Sequence, residues 1–92
     1  MDHFLHDENK MFSIIFEKRA LHDLNKLDFI IKKRIWDKLQ ACKEDPFRFL
    51  EHLEDIDGFK LRVGDYRIIV DVNREKKAIL VLKIGHRKNI YD

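Results

Sequence analysis

Two short alternating runs, residues 59–63 and 66–72, are separated by nothing but Gly64 and Asp65. A Gly-Asp pair between alternating apolar segments is the signal of a two-residue β-hairpin. A turn this short fixes the register: Val63 faces Tyr66, Arg62 faces Arg67, Leu61 faces Ile68 and Lys60 faces Ile69. Side chains alternate across a strand, so Phe59, Leu61, Val63, Tyr66, Ile68 and Val70 share one apolar face that needs a cover of helices. The opposite face carries Lys60, Arg62 and Arg67, with Asp71 farther along. Two arginines directly opposed repel and weaken the hairpin slightly. They are useful where a phosphate sits between them, because the planar guanidinium fork matches phosphate geometry. Two solvated arginines, partly neutralised by Asp71, are the plainer alternative.

The rest of the chain supplies the cover. Residues 12–16 (FSIIF) alternate as a short strand with Phe12, Ile14 and Phe16 on one face. From Glu17 the period changes to a helical one: Ala20, Leu21, Leu24 and Leu27 predict an amphipathic helix over residues 18–26. Asp28 is placed to cap a second helix, in which Ile31, Ile35, Leu39 and Cys42 recur every three or four residues. Ile30, Trp36 and Ala41 are expected to widen that stripe, and Pro46 to end the helix. Its polar face carries Lys32, Lys33, Arg34, Asp37, Lys38, Lys43 and Glu44. Residues 47–57 fit an irregular turn or a short helix, with Ile56 packing below it. Strand residues 78–84 follow a polar turn at 73–77. The expected order is β-α-α-β-β-β, class α+β, a helical hairpin packed on a largely antiparallel sheet.

Ninety-two residues hold one domain, read as a loose arm over 1–11 and a folded unit over 12–92. With 45% apolar residues, three Gly and one Pro, the chain is neither disordered nor fibrous. No run is long enough to cross a bilayer, and Asp2, His3, Asp7 and Glu8 do not resemble a secretory leader. One cysteine, Cys42, can make no internal disulfide, so a reducing cytoplasm is expected. The formal charge of +2 conceals an asymmetry: residues 1–57 carry ten Lys/Arg against thirteen Asp/Glu, and residues 58–92 nine against four. A basic half suggests an anionic partner, nucleic acid first among them.

A second basic group follows the last strand: His86, Arg87 and Lys88, with Tyr91 close behind. Beside a basic strand face, this combination suits phosphoryl transfer. Arg and Lys stabilise charge on pentacoordinate phosphorus, and Tyr or His moves protons. A surface histidine and a tyrosine packed on the sheet edge remain open as the structural alternatives. Other templates fail: a lone Ser13 lies inside a predicted strand, no glycine-rich phosphate loop exists, and there is no zinc-ligand set. His3 and His6 share a helical spacing but have no further ligands, so no metal or cofactor is expected. The carboxylates at 44–45 and 54–57 read as solvated faces.

Four stretches together resemble the RelE/ParE superfamily of toxins from toxin–antitoxin modules, over residues 12–92. They are FSIIFEKRALHDLNKL, the hairpin with VGDYR, the terminal strand, and GHRKNIYD. The resemblance implies a compact α+β fold and, for the RelE branch, a metal-free endoribonuclease that cuts mRNA in the ribosomal A site. There the ribose 2′-hydroxyl attacks the adjacent phosphate. By position it implies Lys60, Arg67, Arg87 and Tyr91 as catalytic residues, and Arg62, His86 and Lys88 as RNA-binding ones. It further implies a RelB-like antitoxin partner in a heteromeric complex, the ribosome and mRNA as targets, and no membrane. Ribosome-dependent members often carry another basic residue before the hairpin, where residues 51–57 here are acidic apart from His52. The ParE branch shares the fold but poisons DNA gyrase without ribonuclease chemistry. A non-catalytic interaction module is the third possibility.

Overall fold

The computed structural model describes residues 11–90; the arm residues 1–10, including His3 and His6, and the terminal pair Tyr91 and Asp92 lie outside the described residues. Strand β1 (Ser13–Phe16) leads into helix α1 (Lys18–Asn25) and helix α2 (Phe29–Ala41). A 3-10 turn at Pro46–Arg48 and a two-residue strand β2 (Glu51–His52) follow. The hairpin strands β3 (Phe59–Val63) and β4 (Tyr66–Asn73) and the final strand β5 (Ala78–His86) complete a five-stranded sheet of order β1-β5-β4-β3-β2. All pairings are antiparallel except β1 with β5. The α+β reading holds, with one added element: the segment left irregular contains the short edge strand β2.

The hairpin register is the one that the two-residue turn dictates, with Val63 opposite Tyr66, Arg62 opposite Arg67, Leu61 opposite Ile68 and Lys60 opposite Ile69. The apolar face is covered by Ala20 and Leu24 of α1 and by Ile35, Leu39 and Cys42 at α2. These close on Leu61, Val63, Ile68, Val70, Ile79, Val81 and Ile84 in one core. Phe12, Ile14 and Phe16 pack on it from the β1 side, as their alternation predicts. Past the end of β1 no strand among the described residues pairs with the outer edge of β5, and Asp23 of α1 meets it: its Oδ2 accepts the Ile84 N–H at 3.2 Å. A strand edge is thus closed by a helix side chain instead of another strand.

Four sequence expectations are corrected. Asp28 occupies the capping position of α2 but makes no side-chain cap bond. Ile30 is 70% exposed and Trp36 46%, and Ala41 is exposed as well, although Trp36 stacks on Phe16 with centroids 6.2 Å apart. Helix α2 lies on the sheet from one side only, so the stripe through Ile31, Ile35, Leu39 and Cys42 is all that the sheet covers. Ile56 does not pack beneath the 47–57 segment; it is exposed. Finally, the face read as polar is not wholly wet. The β4–β5 register slips between Ile69 and Val70, which face Lys83 and Val81, so Leu82 is an extra residue in β5. Leu82 packs with Leu53, Ile69 and Ile90 in a second small apolar cluster.

Candidate anion-binding site

The basic residues of the hairpin and of the chain end are far apart in sequence, and the sheet brings them to one corner. Tyr66 and Arg67, just after the turn, pair with His86 and Gly85 at the end of β5. The chain then turns back, and the Arg87 N–H donates to the Asp65 carbonyl at 2.7 Å. The Arg87 Nε lies 3.5 Å from Asp65 Oδ1. Ile90 folds over Gly85, its Cδ1 3.5 Å from where a Cβ would stand there, and so anchors the segment carrying Arg87 and Lys88.

Arg67 is half-buried and donates from Nη1 to the carbonyls of Gly64 and Tyr66, both at 2.9 Å. Arg62, on the neighbouring strand, is held by Glu51 of β2, Nε to Oε2 3.3 Å. The repulsion expected from the opposed arginines is therefore relieved by turn carbonyls and by Glu51. Asp71, expected to neutralise them, does not: its Oδ1 accepts the adjacent Val72 N–H at 3.0 Å. Lys60 sits one pair along the same face, opposite Glu51 and Ile69.

Of the predicted site residues, Lys60, Arg62, Arg67 and Arg87 are thus gathered around the hairpin. His86 is not on their face. Strand β5 continues through it, and it stands opposite Tyr66 on the helix side, the two rings edge to face at 5.4 Å. Its Nδ1 accepts the Lys88 N–H at 3.1 Å, which leaves Nε2 as the position for a ring proton. Lys88 is exposed in the turn after β5. Tyr91 lies outside the described residues.

One group was missed. A groove of about 460 Å³ runs between α2 and the β3 end of the hairpin, lined by Arg34, Asp37, Lys38, Ala41, Phe49, Arg62, Val63 and Gly64. Arg34 reaches Gly64: its Nη2 is 3.3 Å from where a Cβ at Gly64 would stand. The four α2 residues have helical spacing, so the stripe itself was legible. What faces it was not, because the turn lies thirty residues along the chain from Arg34.

This corner can bind phosphate through several guanidinium groups and stabilise negative charge that develops there. Among the described residues, no three His, Cys, Asp or Glu side chains cluster so as to hold a metal ion. Nor is any helix among them long and apolar enough to cross a membrane.

A family model described as the ParE toxin of the type II toxin–antitoxin system parDE matches residues 14–91. The chain is 32% identical over 85 residues to Toxin RelE3 of Methanocaldococcus jannaschii, covering 86% of this chain and 94% of that protein. It is 30% identical over 76 residues to the mRNA interferase toxin RelE of Escherichia coli K12, covering 79% and 80%. The archaeal RelE–RelB complex of Pyrococcus horikoshii contains a similar structure, with a TM-score of 0.74 and 25% identity, over 87% of this chain and 99% of that one.

Proposed function

The chain belongs to the RelE/ParE superfamily, the toxins of toxin–antitoxin modules, and from that premise we propose that it is a ribosome-dependent, metal-independent endoribonuclease acting on translated mRNA. The observation that carries this proposal is the meeting of Arg67 and Arg87 at one hairpin turn, with Lys60 and Arg62 beside them. In the proposed reaction the ribose 2′-oxygen attacks the adjacent phosphorus and the bond to the 5′-oxygen breaks. A 2′,3′-cyclic phosphate and a free 5′-hydroxyl result. One proton leaves the 2′-hydroxyl and one reaches the departing 5′-oxygen. The charge growing on the phosphoryl oxygens is met by Arg67, Arg87 and Lys60. Arg62 and Lys88 hold the strand and Tyr91 carries a proton, while His86, on the helix side, supports the turn by accepting the Lys88 N–H. The name of the Escherichia coli relative, an mRNA interferase toxin, supports the activity.

The proposed resting partner is a RelB-like antitoxin, an acidic or amphipathic segment that masks the basic corner. RelE–RelB complexes among the similar structures support that pairing. A ParE-like gyrase poison is the second reading, favoured by the description of the matching family model. Primer extension on a translated mRNA separates the two. Codon-phased cuts are expected. An intact mRNA pool with trapped gyrase–DNA complexes would replace the ribonuclease by the gyrase poison. Neither outcome, with partner binding retained, would leave a non-catalytic interaction module.

A further inference from the structure

The α2 stripe that faces the hairpin has a distinctive charge arrangement. Of the groove's charged residues, Asp37 is already engaged by Lys33 on the outside of the helix, Nζ to Oδ2 3.0 Å. Arg62 is shared with Glu51. Lys38 rests over the Phe49 ring, 4.7 Å from its centroid, which holds its ammonium at the groove wall. Arg34 is different. It is exposed, and among the described residues it has no hydrogen bond, ion pair or ring contact, although its guanidinium lies directly against Gly64. The groove and the basic corner share Arg62 and the Gly64 turn, so they form one continuous cationic surface.

We propose that this groove is a second anion subsite, in which Arg34, with Lys38, grips a phosphodiester of RNA flanking the phosphate held at Arg67 and Arg87. The proposal rests on the ribonuclease reading and extends it by one nucleotide contact. A guanidinium lying against a glycine turn, its fork unengaged among the described residues, suits a phosphate. The partly apolar walls, Ala41, Phe49 and Val63, give a neighbouring sugar or base a surface to lie on. An RNA strand brings a phosphate at every nucleotide, so a strand crossing the corner offers a second one for the groove. That regular supply favours RNA over an acidic protein segment.

The test is equilibrium binding by the full chain, over a range of salt, of three probes: a short single-stranded oligoribonucleotide, mRNA-free ribosomes and polyglutamate. Arg34→Gln and the double variant Arg34→Gln/Lys38→Gln are compared with the parent, and thermal melts verify folding. Loss of the Arg34 contact is expected to weaken RNA binding about tenfold or more and to lower the salt slope by about 0.7 for a single strand. Weakening on the oligoribonucleotide supports the subsite on the cleaved strand; weakening on ribosomes alone overturns it in favour of a ribosomal RNA contact. Unchanged affinity and slope for both RNAs overturns the subsite, and weakening towards polyglutamate alone overturns it in favour of an acidic protein partner. Because no probe is cleaved in this assay, absence of mRNA cutting on ribosomes would reject the ribonuclease reading without touching this result.

Discussion

Arg87 is bound to Asp65 twice: its backbone N–H donates to the Asp65 carbonyl at 2.7 Å, and its guanidinium Nε lies 3.5 Å from the Asp65 carboxylate. The end of β5 is thereby tied to the hairpin turn, and a residue beyond the last strand is set beside Arg67. The carboxylate and the guanidinium are both more than half exposed, so this ion pair positions more than it stabilises.

Arg87→Ala and Arg67→Ala are accordingly expected to change stability by no more than about 1 kcal/mol each. For Arg67 the small loss comes from its bonds to the Gly64 and Tyr66 carbonyls. Cleavage on programmed ribosomes should fall about a hundredfold or more for each, as for removal of one group that stabilises transition-state charge. Single-turnover assays beside thermal melts check both. Variants that fold, bind ribosomes and cut at the parent rate would place the chemistry elsewhere.

Tyr91→Phe keeps the ring and deletes the hydroxyl. If Tyr91 carries a proton, as proposed, cleavage falls while ribosome binding persists. Unchanged cleavage would leave Tyr91 without a chemical role.

The parts of this site legible in sequence are those that one turn determines. Gly64 and Asp65 fix every pair of the hairpin, so Arg62 opposite Arg67 could be read residue by residue. The β4–β5 pairing could not, because its extra residue, Leu82, leaves no local sequence signal. A strand ending at Ile84 sets His86 with the arginines; β5 runs on through His86, and strict alternation from Gly85 sends it to the helix face. Glu51 looks like part of an irregular acidic stretch in the sequence, since the two-residue strand β2 is too short to show a period. Arg34 belonged to a face that looked merely solvated until the fold set the turn against it.

Leu61→Ala is expected to cost about 2–5 kcal/mol, because Leu61 is fully buried among packed neighbours and leaves a cavity. Leu53→Ala, in the smaller second cluster of four residues, should fall at or below the bottom of that range. Urea denaturation of the two variants compares the main core with the cluster under the basic face. A larger loss for Leu53→Ala would reverse the order of the two clusters.

Gly64 has φ +58, the left-handed region, and an added Cβ would meet the Arg34 guanidinium at 3.3 Å. Gly64→Ala should therefore lose roughly 1–2 kcal/mol from backbone conformation. The flexible Arg34 can swing aside, so the contact itself should add little. Gly64→Asn should lose less, because asparagine tolerates this conformation better than alanine. Equal denaturation midpoints for the two variants would remove backbone conformation as the cause.

Cys42 closes the buried stripe of α2 with no exposed surface, and burial pushes its thiol up to about 11, against the opposing pull of the Lys38 charge. The folded chain therefore holds the thiol proton more tightly than the unfolded chain, in which the thiol ionises near 9.0. The sign follows from linkage. The stabilising contribution is complete below pH 9 and is lost as the pH rises towards 11. At most it amounts to about 2–3 kcal/mol, from 1.36 kcal/mol per pH unit. Lysines and tyrosines also titrate in this window, so the quantity to measure is the difference between the parent and Cys42→Ala. Below pH 9 that difference should be a constant cavity cost, and between pH 9 and 11 it should shrink. In the native state at neutral pH the same burial should keep Cys42 unreactive towards a thiol-specific disulfide reagent until denaturant is added. A difference that stays flat to pH 11, or rapid native labelling, would show that the thiol is open to solvent.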